Sequence, residues 1–233
     1  MFPFVLFLLG AILVGLFAYF EHQRQKQRRE ALAALAAELG WQFSPEKDYD
    51  HDEQFAHFEV FRRGHTRFAY NTLWGSFEAD GREYPIKMGD FHYQVTTHNG
   101  KTSSTHTYRF SYAIAGLPFA NVPELLIRPE GMFDQLKGLL GFDDINFESE
   151  EFSRRFFVKS SNKRFAYDVI DPRMMEFLLA SNPPTIDIEQ SRICLCDGGK
   201  QWTPEQFKSQ LSWARDFFDH WPDHVVNTLQ TQG

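Results

Sequence analysis

The pattern of hydrophobic and polar positions divides the chain into an apolar leader, a helical connector and a long mixed region. From Phe2 to Phe20 no side chain is charged, and polar residues begin abruptly at Glu21. A helix over that run is about 28 Å long at 1.5 Å per residue, against roughly 30 Å of bilayer hydrocarbon. No basic segment precedes it and no small-x-small site closes it, as a cleaved export signal would require. The run ends instead in Ala18-Tyr19-Phe20, aromatics that suit a membrane interface. It therefore reads as an uncleaved transmembrane anchor, residues 1–20, with the lipid bilayer as its partner through residues 2–20. Arg24, Lys26, Arg28 and Arg29 follow the run and none precedes it. That asymmetry predicts an inner-membrane, single-pass protein with its N-terminus outside and the soluble domain in the cytoplasm.

Residues 21–40 continue as a helical stalk, with Leu32, Leu35 and Leu39 at helical spacing and Gly40 as a left-handed C-terminal cap. Ser44-Pro45 then breaks any helix ahead of an acidic loop. Between about 57 and 116 the pattern turns extended, rich in Phe, Tyr, Val and Thr, and predicts four antiparallel strands in a meander. Asp80-Gly81 marks a two-residue hairpin, and a second hairpin loop falls at His98-Asn99-Gly100. A short helix is expected near 130–140. The segment 154–170, RRFFVKSSNKRFAYDVI, reads as another hairpin. Arg-Phe-Ala-Tyr occurs in it at 164–167 and also at 67–70, which leaves a duplication open.

Two later helices carry start signals. Asp171 precedes Pro172, with Ile170 and Met175 as a hydrophobic staple, and Thr203 precedes Pro204, with Gln206 completing a capping box and Trp202 and Phe207 as staple. Phe207, Leu211, Ala214, Phe218 and Trp221 form one apolar stripe, so that helix should pack on the sheet. The fold class predicted is α+β: an N-terminal transmembrane helix and stalk, an antiparallel β-meander, a second β-hairpin and packed C-terminal helices. The domain expectation is a soluble α+β domain over 41–225, as one body or as two sub-lobes, 41–128 and 142–225, followed by a flexible tail over 226–233.

Composition narrows the function classes. With 25 phenylalanines and aromatics at 16%, the region is a folded domain and not a disordered tail. The net charge of −7, despite the basic run after Phe20, argues against a nucleic-acid partner. The two cysteines, Cys194 and Cys196, lie on one face of a predicted strand in a geometry that strains a mutual disulfide, and reduced thiols fit a cytoplasmic domain.

Chemistry-bearing constellations are weak. Asp48, Asp50, Asp52 and Glu59 copy the spacing of a calcium loop, but Glu53 stands where such loops need Gly. Cys194, Cys196, His220 and His224 have the right types for zinc, yet Pro222 separates the histidines. His92, His98 and His106 lie near Ser103 and Ser104 on one predicted hairpin, without any nucleophile elbow, zinc-helix, phosphate-loop or dinucleotide signature. Asp143-Asp144 and Glu150-Glu151 read as a solvated face. No catalytic, cofactor-binding or metal residue is assigned, and no cofactor is implied.

The stretches ALAALAAELGWQF, GHTRFAYNTLWGSF, LLIRPEG, GFDDINFESEEFSRRFFVKS and FAYDVIDPRMMEFLL resemble a group of uncharacterised bacterial single-pass membrane proteins with a cytosolic domain of unknown function. That resemblance implies an anchored topology and one compact α+β domain, with no activity attached. The expected function is a membrane-anchored cytoplasmic module that binds a protein partner or the inner membrane surface, through the hairpin 92–110 or the acidic segment 143–151. The alternative is a membrane-bound, hydrolase-like enzyme with a pocket between the sheet and the C-terminal helices.

Overall fold

The computed structural model describes residues 2–100, 102–130 and 145–231, with side chains from residue 12 onward. Its elements in chain order are α1 (Phe2–Leu39), β1 (Gln42–Ser44), α2 (His51–Gln54), a 3-10 turn (Glu59–Arg62), β2 (His65–Ala79), β3 (Arg82–Asn99), β4 (Thr102–Gly116) and β5 (Leu125–Pro129). There follow α3 (Glu150–Arg155), β6 (Phe156–Ser160), α4 (Lys163–Val169), α5 (Pro172–Ser181), β7 (Thr185–Glu189), β8 (Arg192–Cys196), α6 (Pro204–Asp219) and α7 (Asp223–Thr231). The class is α+β, built on one eight-stranded antiparallel sheet in the order β1-β2-β3-β4-β8-β7-β5-β6.

The meander consists of three long strands, not four. Residues 57–64 belong to the 3-10 turn and its flanks, because Phe55, Phe58 and Phe61 all point inward and an extended strand cannot bring positions three apart onto one face. Asp80 and Gly81 both take positive φ, as a type I′ turn requires. The expected hairpin over 154–170 is also corrected. β6 ends at Ser160, Asn162 accepts the Phe165 amide as an N-cap, and the second Arg-Phe-Ala-Tyr lies in α4, where Phe165, Ala166 and Val169 are buried at helical spacing. The first copy lies in β2, so the two tetrapeptides have different backbones and the likeness carries no repeat. Residues 226–231, expected as tail, complete α7 and bury Val226 and Leu229. The helix expected near 130–140 and the pair Asp143-Asp144 fall outside the described residues.

The predicted helix starts form as read. Asp171 caps α5 through the Met174 amide at 2.8 Å, and Thr203 and Gln206 exchange both bonds of a capping box on α6. Trp202 meets Phe207 edge-on, closing the staple. Gly40 adopts φ +71 after α1.

The alternation of strand residues gives the sheet two unlike faces. One carries Leu73, Ile86, Met88, Ile186, Ile188 and Leu195 against α1 and α4–α7, forming the main core. On the other, Phe91, Phe110, Tyr112, Ile114, Cys194 and Cys196 pack beneath Phe55, Phe58 and Phe61 of the short segment 51–62. His51 is fully buried there among aromatic rings, and burial pushes its imidazole down to about 2.

α1 revises the reading of the N-terminus. It is one helix from Phe2 to Leu39, and among the described residues no helix is long and apolar enough to cross a membrane. The expected transmembrane anchor, the single-pass membrane assignment and the inner-membrane location with its inside-outside orientation are overturned by this finding.

The basic run has another use. Arg28 donates to both carboxylate oxygens of Asp90 at 2.7 and 2.6 Å and to the Trp202 carbonyl at 2.9 Å. Asp90 is fully buried and also accepts from Asn71 at 3.0 Å and from Ser111 Oγ at 2.7 Å. With Leu32, Leu35 and Ala36 buried one and two turns later, this clamp lays the second half of α1 on the main core.

Candidate functional site

The sequence Thr-Ile-Asp-Ile-Glu of β7 alternates strictly. Ile186 and Ile188 enter the main core, so Thr185, Asp187 and Glu189 share the opposite face. On that face the register aligns Lys159, Leu126, Asp187 and Cys194 across β6, β5, β7 and β8. The segment 51–62 covers the face over β3, β4 and β8, including Cys194 at one end of this row, but stops short of Asp187, Leu126 and Lys159. A cleft of about 400 Å³ remains between them, walled by His57, Glu59, Val60 and Arg62 on one side and floored by Leu126, Asp187 and Thr185 on the other.

Charge is concentrated in this cleft. Glu59, Glu124, Asp187 and Glu189 bring carboxylates from three segments, while Arg62, Arg63 and Lys159 also line it. Burial, reinforced by Glu189 and Glu59, pushes the Asp187 carboxyl up to about 8. Glu189 is raised to about 7, by burial first and then by Glu124. Thr185 is 7% exposed, and its Oγ1 has no hydrogen-bonding partner among the described residues; the same holds for the buried Nε2 of His57. Cys194 and Cys196 are free, buried thiols at the edge of the cleft, and burial raises the Cys194 thiol well above its ordinary range.

No family model and no curated protein matches the chain. One solved structure does resemble it. The crystal structure of the mycobacterial trehalose monomycolate transport factor A, TtfA, matches with a TM-score of 0.51 at 13% identity, over 83% of this chain and 96% of that chain. At that identity the likeness shows a shared fold and says nothing about shared residues.

The residues singled out from sequence are mostly kept apart. Asp48 takes Lys87 at 3.0 Å, Asp52 takes Arg67 at 2.6 Å, and Glu59 turns into the cleft, so the calcium spacing does not converge. Cys194 and Cys196 lie on the face opposite α6 and α7, where His220 caps α6 against the Asp216 carbonyl and His224 approaches Asp168. Among the described residues no group of three His, Cys, Asp or Glu is placed to hold a metal ion. His92 is committed to the Thr66 carbonyl and stacked on Phe68, while His106 meets Ser104 Oγ on the exposed β3–β4 ribbon that also carries His98 and Ser103. Glu150 and Glu151 form the first turn of α3, where carboxylates favour the helix dipole. The pocket expected between sheet and C-terminal helices is filled by the main core.

Asp187, Glu189 and Thr185 went unremarked in the sequence. Their signal was the polar half of a short alternating strand. Its meaning depends on whether anything covers that face.

Proposed function

We propose that the protein is a non-catalytic binding module that holds a small polar ligand in the cleft between segment 51–62 and strands β5–β8, and acts as an accessory to transport. The cleft carries the reading: it is of small-molecule size and lined by convergent polar groups over a partly apolar floor. The transport role is supported by the fold likeness to a transport factor. The residues singled out for a hydrolase lie elsewhere: His92 is held by the Thr66 carbonyl, and His106 meets Ser104 on the exposed ribbon, away from the cleft's carboxylates.

The test is a ligand-observed NMR screen of small polar compounds against the full chain and against Leu126→Trp, which fills the floor of the cleft. Hits that vanish in the variant support the module. Hits that persist unchanged, or turnover of any of them, overturn it.

A second reading concerns a protein partner and rests on the ribbon. β4 pairs with β8 only over Tyr112–Gly116, so its outer edge from Thr102 to Phe110 shows no backbone pairing among the described residues. An edge of that kind accepts an added strand. Proline at Thr105 and Thr107 should abolish capture of such a partner without changing ligand hits in the cleft.

A further inference from the structure

The cleft's chemistry narrows its ligand class, an inference that rests on the binding reading above. We propose that the cleft takes an organic cation whose ammonium group sits against Asp187 and the unpartnered Thr185 hydroxyl.

Three observations support this choice. The first is the convergence of Glu59, Glu124, Asp187 and Glu189, which arrive from the 3-10 turn, the approach to β5, and β7. Like charges brought together in a partly dry cavity repel one another, and a bound cation relieves that repulsion where an anion adds to it. The second is Thr185 Oγ1, a buried hydroxyl on the cleft floor with no hydrogen-bonding partner among the described residues. Leaving such an oxygen unpaired carries its full desolvation cost, and an ammonium N–H removes the deficit by donating to it.

The third is the placement of the bases. Lys159 stands two strands from Asp187 in the same row, with Leu126 between them, and Arg62 and Arg63 rise from the opposite wall. None of them lies on β7 beside the Thr185 hydroxyl. His57, the remaining titratable group on the wall, is held neutral by burial and by Arg192. The β7 carboxylates thus form the acidic part of the floor, with Lys159 at the far end of the row and Arg62 and Arg63 on the opposite wall. Lys159 acts on Asp187, and Arg62 and Lys159 on Glu189, each less than burial and the leading neighbouring carboxylate do.

The probe is spermidine, titrated calorimetrically into the full chain at pH 7 in two buffers of different ionisation enthalpy, with glucose as a neutral, hydroxyl-rich control. Saturable one-site binding is expected, with protons released because the cation favours ionised Asp187 and Glu189. Asp187→Asn should weaken it about tenfold or more, and Thr185→Val by a smaller factor. Glu189→Gln provides a second acidic variant should Asp187→Asn fail to fold. Spermidine binding that ignores all three substitutions is diffuse attraction to an acidic protein and overturns the proposal. Glucose binding lost in Leu126→Trp, with no site-specific spermidine binding, keeps the cleft and rejects the cation. Failure of both probes, together with an empty screen, rejects the binding module itself.

Discussion

Replacing Arg28 by Met tests whether the basic run after the apolar leader serves to dock α1. The guanidinium makes two charge-assisted bonds to Asp90, at 2.6 and 2.7 Å, and a third to the Trp202 carbonyl. The Asp90 side chain is fully buried and that of Arg28 is 17% exposed, so solvent cannot take over when the arginine is removed. Asn71 and Ser111 still donate to Asp90, but both are neutral. A buried carboxylate stripped of its cation costs about 3–5 kcal/mol, a third or more of the stability of a typical domain. Arg28→Met should therefore lower the unfolding free energy by that amount in urea titrations and expose the second half of α1 to protease. Asp90→Asn removes the orphaned charge, so the double variant should recover about 2–3 kcal/mol of the loss, a coupling read from the double-mutant cycle. A single-variant loss below about 1 kcal/mol, or strictly additive losses, would refute the clamp.

Other consequences can be checked in the same way. Asp187 is raised from 3.8 to about 8. The folded state thus keeps a proton that the unfolded chain releases, and its stability falls as pH rises from about 4 to 8. Asp187→Asn does not titrate, so its advantage should be absent at pH 4 and grow to an upper bound of roughly 4 kcal/mol at pH 7, with about 1–3 expected after the new amide's own burial; a pH-independent difference in thermal unfolding would contradict this. Gly75→Ala places a Cβ 2.2 Å from the Trp41 ring, so the indole must move, with a loss of about 1–3 kcal/mol and a changed tryptophan emission; unchanged stability and emission would show that Trp41 does not seat there. Thr203→Ala removes one half of the capping box on α6 and should cost about 1 kcal/mol in urea unfolding, whereas Thr203→Ser should be nearly neutral. Equal losses in the two variants would mean that the hydroxyl does not cap.

Local chemistry made much of this fold legible before any packing was known. Asp171 and Thr203 open their helices, Gly40 closes α1 and Asp80-Gly81 turns the β2–β3 hairpin, because caps and positive-φ turns are decided by a few neighbouring residues. The apolar stripe of α6 likewise identified its buried face. Arg-Phe-Ala-Tyr shows the boundary of that legibility. In β2 it lies in an extended strand, whereas in α4 an Asn162 cap and a core waiting for Phe165 and Val169 wind it into a helix. Arg28 is the same kind of case, a topology signal when read alone and a docking group once a buried carboxylate stands opposite.

The cleft lies further beyond local reading. Alternation in β7 places Thr185, Asp187 and Glu189 on one face, yet whether that face is wet, packed or hollow depends on where segment 51–62 ends above it. Backbone periodicity specifies which side chains share a face. The distances and dielectric between faces arise only when segments remote in sequence are packed together.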